Sequence, residues 1–286
     1  MPKLGYNLLA WSSLVTDDLL PILDRLHKIG YEGIEFAAMG TADPAAYRRL
    51  GAHARGLGLQ TTAAIGLGPH ENPVSPDAAV RRLAVDRLKW TVDRAVDGGA
   101  TVICGPSHSA FATFTRDVPR ADEYQRSAEV LREAGDYAKQ AGVTFAVEAL
   151  NRFECYLCNT MAQLRSLVEL TGHPNIRAMF DTHHANIEEK SQGAAVREIA
   201  PVLVHVHLSE NDRGTPGAGQ VRWDEALTAL AGVGYDGWMM VEAFTRADPG
   251  FANAINVWRE FSPAWEIAEK GHAFLRPRIA AAGFRR

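Results

Sequence analysis

This chain predicts a closed α/β barrel, the (β/α)8 or TIM-barrel fold, on three observations. Short apolar, β-prone runs alternate with longer helical stretches eight times, glycines recur just ahead of the runs, and no glycine-rich phosphate loop follows the first of them. The runs read as strands over residues 4–10, 33–36, 60–64, 101–104, 144–148, 177–181, 202–208 and 238–242. A doubly wound open sheet is the alternative architecture, but it would carry a Gly-rich turn where this chain reads Leu9-Ala10-Trp11-Ser12-Ser13. Eight units favour closure.

The helices between the strands are marked at both ends. Lys28-Ile29-Gly30-Tyr31, Arg55-Gly56-Leu57-Gly58, Asp97-Gly98-Gly99-Ala100, Gln140-Ala141-Gly142-Val143 and Ala231-Gly232-Val233-Gly234 each place a helix-closing glycine before a strand. Starts are read at Thr16-Asp17-Asp18, at Ser75-Pro76-Asp77, with the proline where its missing N–H costs least, and at Asn159-Thr160. No linker, low-complexity tract or charge block divides the 286 residues. Barrels of roughly 250 residues fold as one unit, so residues 1–286 read as a single catalytic domain.

Composition narrows the function. Hydrophobic residues at 47% and charged residues at 22% suit a globular protein with a sizeable core. A net charge of −4 offers no general attraction to nucleic-acid phosphates or anionic lipid. The three cysteines, Cys104, Cys155 and Cys158, are too few and odd in number for a disulfide framework. Met1-Pro2-Lys3-Leu4-Gly5-Tyr6 lacks the apolar core of a signal peptide, and no later run could span a bilayer. A cytoplasmic protein without nucleic-acid or membrane partners is expected.

In such barrels the active site lies at the carboxyl ends of the strands, so polar residues that end apolar strands are the ones to weigh. Four stand out: Glu148 after Phe145-Ala146-Val147, Asp181 after Ala178-Met179-Phe180, His207 after Val204-His205-Val206, and Glu242 after Met239-Met240-Val241. Their separations of 33, 26 and 35 residues each match one strand-plus-helix unit, which sets them at one height on strands five to eight. Any one acid alone would be read as a cap or a hydrogen-bonding group. Three carboxylates converging in a partly buried mouth would repel and protonate unless a cation neutralised them. The oxygen-rich set with one imidazole suits one divalent ion, Mn2+ or Mg2+ first and Co2+ next. His205, on the same face one layer deeper, reads as a hydrogen-bonded core histidine.

Three blocks now resemble a known family: Glu148-Ala149-Leu150-Asn151-Arg152-Phe153-Glu154, Asp181-Thr182-His183-His184-Ala185-Asn186-Ile187-Glu188-Glu189, and His207-Leu208-Ser209-Glu210-Asn211-Asp212-Arg213-Gly214-Thr215-Pro216-Gly217. They resemble the ketose 3-epimerases acting on D-tagatose, D-allulose (D-psicose) or L-ribulose, within the xylose isomerase-like TIM barrels. The likeness runs essentially the full length, from the strand at Gly5 to that at Glu242. It implies that Glu148, Asp181, His207 and Glu242 are metal ligands, that Glu148 and Glu242 are also the catalytic acid/base pair, and that Glu154, His184 and Arg213 grip the oxygens of the first three sugar carbons. The departure is at Tyr6-Asn7-Leu8-Leu9, where familiar members are aromatic near the far end of the sugar. Asn7 is thereby a candidate substrate contact. Trp11 reads either as an apolar wall for the sugar or as plain core packing. The resemblance also implies a homodimer or homotetramer.

Epimerisation at carbon 3 would remove a proton beside a ketone and return one to the opposite face through an enediolate. Two carboxylates on opposite faces suit that demand, and Arg213 and His184 would add donors where charge develops. Rival readings are a metal-dependent aldose–ketose isomerase or polyol dehydratase on the same barrel, and a non-catalytic sugar-binding barrel. Weaker signals get blander readings. Cys155 and Cys158 have knuckle spacing but no second pair, and Cys104 could line the mouth or simply pack. Glu35 could join the site or a structural network and is left out of the catalytic set. Glu188 and Glu189 read as a solvated helix start.

Overall fold

The computed structural model describes residues 1–40 and 43–285. Its eight parallel strands are β1 (Lys3–Asn7), β2 (Gly33–Ala37), β3 (Gln60–Ala64), β4 (Val102–Gly105), β5 (Thr144–Val147), β6 (Ile176–Asp181), β7 (Leu203–Leu208) and β8 (Trp238–Val241). They pair in chain order into one closed barrel, shut where β1 meets β8 with Leu4 opposite Met239 and Tyr6 opposite Val241. Among the described residues no helix is long and apolar enough to cross a membrane.

Alternation along each strand sorts the side chains into two cores. Ile34, Phe36, Ile103, Phe145, Val147, Phe180, Val206, Met239 and Val241 face the surrounding helices and are buried with the helices' apolar faces. The inward set is separate: Leu9, Ala37, Ala64, Cys104, Ala146 and Met179. Small residues on β2, β3 and β5 leave the upper barrel unfilled, which makes room for a cavity at the carboxyl end.

Helix boundaries follow local chemistry. Gly30 closes the helix Leu20–Ile29 in the left-handed region, at φ +112°, which glycine adopts without strain. Thr160 caps Met161–Thr171 in a reciprocal box with Gln163. Three sequence expectations need correcting. The first strand stops at Asn7 instead of Ala10, because the Asn7 side chain accepts the Leu9 N–H at 2.9 Å and turns residues Leu8–Ala10 into a short 3-10 helix. Asp77, not Ser75, caps Ala78–Asp97, its Oδ1 accepting from Ala79 N at 2.8 Å, so the proline lies outside the helix instead of in its first turn. Glu188 ends the helix Thr182–Glu188; it is engaged by the backbone N–H and the guanidinium of Arg152, while Glu189 accepts the Met161 N–H at 2.7 Å.

One irregularity bears directly on the barrel interior. The β6–β7 register slips between Ala178 and Met179, so that Met179 faces His205 and Asp181 faces His207. Ala178 still faces Leu203, so Val204 is the extra residue. An unslipped ladder would pair inward Asp181 with outward Val206; the extra residue restores inward to inward.

Candidate active site

The cavity above the barrel has a volume of about 590 Å³. One side is polar, with Glu148, Glu154, His184, His207, Arg213 and Glu242 on its wall. Strand register explains the convergence. Glu148 and Glu242 each lie one residue beyond their strand, on the inward face; Asp181 ends β6, and His207 lies one residue before the end of β7. All four are nearly inaccessible to solvent, and one ligand atom from each lies within 4.8 Å of the others.

The details of that convergence fit a cation. His207 Nδ1 lies 3.2 Å from Glu242 Oε1 and 3.9 Å from Asp181 Oδ2, and it has no hydrogen-bond partner among the described residues. Glu148 Oε1 is likewise buried and unpartnered. Buried polar atoms are seldom left unpaired, so a lone pair and a carboxylate oxygen aimed at one point are the donor set that a divalent ion requires. Arg213 is the guanidinium among these acids, its Nη1 at 2.9 Å from Asp181 Oδ2 and 2.6 Å from Glu242 Oε2.

Environment separates the carboxylates. Burial raises the pKa of Glu148 above its ordinary value, with the nearby imidazoles pulling only partly the other way. Burial acts on Asp181 in the same sense, but Arg213 and then His184 and His207 outweigh it and hold Asp181 well below the usual range. Asp181 is thus held in its ionised form, and Glu148 is the carboxyl nearer to protonation.

Arg213 holds its place at a backbone cost. Its φ of +62° lies in the left-handed region, and bonds from Arg213 N to Glu210 O and from Phe244 N to Arg213 O, both 3.0 Å, lock it there. Glu210, itself fully buried, accepts the Gly217 and Val221 N–H groups and Trp223 Nε1, which ties down the whole loop. His184 is oriented by the Asn151 N–H, which donates to Nδ1 at 3.0 Å and so leaves the proton on Nε2, 3.4 Å from Glu148 Oε1. Asn151 Nδ2 also donates to Glu154 Oε1 at 3.0 Å.

Two expected substrate contacts lie elsewhere. Asn7 is wholly buried and off the cavity wall, because its amide is consumed by Glu35, Glu242 and the Leu9 N–H. Trp11 is also off that wall; its ring packs 5.2 Å from Tyr6 and 4.7 Å from Trp265, the core-packing alternative. Glu35, set aside in the sequence, has its carboxylate 2.7 Å from His207 Nε2 and 2.9 Å from His205 Nε2. Position two residues before the end of an inward-facing strand was the signal that could have found it. Cys104 packs beneath the site, its Sγ 3.0 Å from Glu35 Oε2, while Cys155 and Cys158 are buried free thiols.

The chain is similar to known proteins over most of its length. Residues 23–277 match the family model described as the xylose isomerase-like TIM barrel. A D-psicose 3-epimerase of Agrobacterium fabrum is 33% identical over 255 residues, 87% of this chain and 87% of its own. Among solved structures, an L-ribulose 3-epimerase superposes with a TM-score of 0.92 at 30% identity, covering 99% of this chain and 96% of that one. A D-psicose 3-epimerase from Clostridium cellulolyticum H10, solved with D-tagatose, gives 0.89 at 31% identity over 97% and 99% of the two chains.

Proposed function

The chain belongs to the xylose isomerase-like TIM barrels and, within them, to the ketose 3-epimerases; from that premise we propose that it inverts carbon 3 of a free ketose, using one divalent ion and two glutamates. Glu148, Asp181, His207 and Glu242 would hold the ion, Mn2+ or Mg2+ with Co2+ as a substitute. Bound there, the ion supplies Lewis-acid polarisation of the substrate's ketone. The observation that carries the reading is the meeting of Glu148 and Glu242, from opposite ends of the β5–β8 arc, with His207 at a single point of the cavity.

Proton movement falls to the two glutamates. One takes the proton from carbon 3, the other returns one from the opposite face, and their roles exchange in the reverse direction. His184 Nε2 and Arg213 Nη2 lie 3.0 Å apart, and with Nδ1 accepting the Asn151 N–H both groups are donors. An oxygen of the enediolate, where negative charge develops, is the acceptor that such a pair suits.

Substrate class follows from what lines the rest of the wall. Arg213 is the single Lys or Arg among the lining residues, and it is already paired with Asp181 and Glu242. Among the described residues the wall offers a sugar phosphate's dianion no cation that is not already paired, which favours unphosphorylated ketoses. The test is incubation of metal-reconstituted protein with D-fructose, D-tagatose, L-ribulose and their phosphates in deuterium oxide, read by NMR. Product with deuterium at carbon 3 is the expected result. Epimer formed without label, or no turnover of any ketose, would end the two-glutamate scheme.

A further inference from the structure

Beneath the acid/base pair lies a polar layer that is off the cavity wall. Glu35, wholly buried on β2, is its centre. Its Oε1 accepts from Asn7 Nδ2 at 2.9 Å and from His207 Nε2 at 2.7 Å. Its Oε2 accepts from Thr62 Oγ1 at 2.8 Å and Cys104 Sγ at 3.0 Å, with His205 Nε2 at 2.9 Å. So many donors around a carboxylate with no access to water fit its ionised form, which only accepts.

Two orientations follow from that inventory. Facing an acceptor, His207 carries its hydrogen on Nε2, so Nδ1 keeps a lone pair turned toward Glu242 and Asp181. Asn7 Oδ1 accepts the Leu9 N–H at 2.9 Å, which leaves its NH2 group facing Glu35 Oε1 and, at 3.1 Å, Glu242 Oε1. The barrel register makes this reach possible: Asn7 is paired with Glu35 on β2, and the preceding Tyr6 is paired with Val241, the residue before Glu242. A single amide thus connects the buried carboxylate with a carboxylate of the cavity.

We propose that Glu35 and Asn7 are positioning residues: Glu35 fixes the tautomer of His207 that can ligate a metal, and Asn7 transmits the same anchor to Glu242. The inference rests on the metal-dependent reading above. Neither residue lines the cavity, so their loss acts on metal affinity and on the reacting carboxylate, and leaves the sugar's contacts intact. Partners of this kind around metal-bound histidines are worth roughly 10- to 100-fold in metal affinity or activity.

The test strips the purified chain of metal and titrates Mn2+, following the free ion by electron paramagnetic resonance, on wild type, Glu35→Gln and Asn7→Leu. Circular dichroism checks folding. Glu35→Gln should raise the Mn2+ Kd roughly 10- to 100-fold, where a purely structural role would lower thermal stability and leave Kd in place. Asn7→Leu should lower kcat at least about tenfold on whichever ketose the wild type turns over, with KM within about threefold. A Glu35→Gln protein binding Mn2+ within about threefold of wild type, or an Asn7→Leu protein with kcat intact, overturns the assignment of that residue. Should Glu35→Gln not fold, Asn7→Leu decides the case. A wild type that binds no Mn2+ overturns instead the metal-dependent reading beneath it.

Discussion

The two halves of the barrel mouth share one fold, yet the charged side chains on the cavity wall all come from one of them. The β5–β8 half presents the charged and imidazole groups Glu148, Glu154, His184, His207, Arg213 and Glu242 to the cavity, beside apolar groups such as Phe153, Phe244 and Phe261. Among the described residues the half built on β1–β4 presents only uncharged groups, Leu9, Met39, Ile65, Leu67 and Phe111 among them. Both halves follow the same alternation, and the difference lies in the inward residues at the strand ends: Ala37 and Ala64 on β2 and β3, against Glu148, Asp181, His207 and Glu242 at or beside the ends of β5 to β8. On the proposed mechanism the charged half would set which bonds break. On the same reading the uncharged half would supply surface for the C–H faces of a sugar. Glu35 sharpens the contrast, since β2 does contribute a charge, but two residues below Ala37, where it meets His207 in place of the cavity. Height along a strand, as well as face, divides groups that touch a substrate from groups that hold others.

The contrast can be broken by substitution in each half. Glu148→Gln and Glu242→Gln should each lower kcat by at least roughly 10²-fold, since a positioned base contributes about 10²- to 10⁴-fold; steady-state rates on the active ketose, with Mn2+ occupancy measured in parallel, check it. If both variants keep most of their activity with metal bound, the charged half is not the reacting one.

A second expectation concerns the seam between the halves. His108, in the loop after β4, is fully buried, and burial pushes its pKa down from 6.5 to about 4, the backbone of Glu148 offsetting only part of that. The unfolded chain binds this proton from pH 6.5 downward and the folded chain only near pH 4, so stability falls as the pH drops through that window. Between pH 7 and pH 5 the loss should be about 2 kcal/mol, at about 1.4 kcal/mol per pKa unit. Urea unfolding of wild type and His108→Leu at both pH values measures it. Equal losses in the two proteins would show that this histidine is not the source.

The smallest effect belongs to the uncharged half. Phe111→Ala should raise KM about tenfold, worth about 1.4 kcal/mol, with kcat nearly unchanged, because it removes binding common to ground and transition states. A fall in kcat as large as that of the glutamate variants would erase the division between the two halves.

Much of this was legible in the chain itself. Eight apolar runs with glycine stops give the barrel, since periodicity and helix-closing chemistry are local properties, and the closed eight-stranded sheet agrees. Glu148, Asp181, His207 and Glu242 could be singled out because a strand's last inward residue is visible in alternation alone. Asn7 and Trp11 were less readable. Each sits where the chain turns out of β1, and whether its side chain meets a sugar or a neighbour depends on Glu35, Glu242, Tyr6 and Trp265, up to 254 residues away in sequence.

By itself, then, the sequence determined the alternation, the strand count and the residues that end each strand, because these depend on neighbours within a few positions. The tertiary structure alone decided the extra residue in the β6–β7 ladder that turns Asp181 toward His207, and the depth at which Glu35 meets that imidazole. Register between strands and height around a closed barrel are set by hydrogen bonds and packing among distant segments, and no local pattern records them.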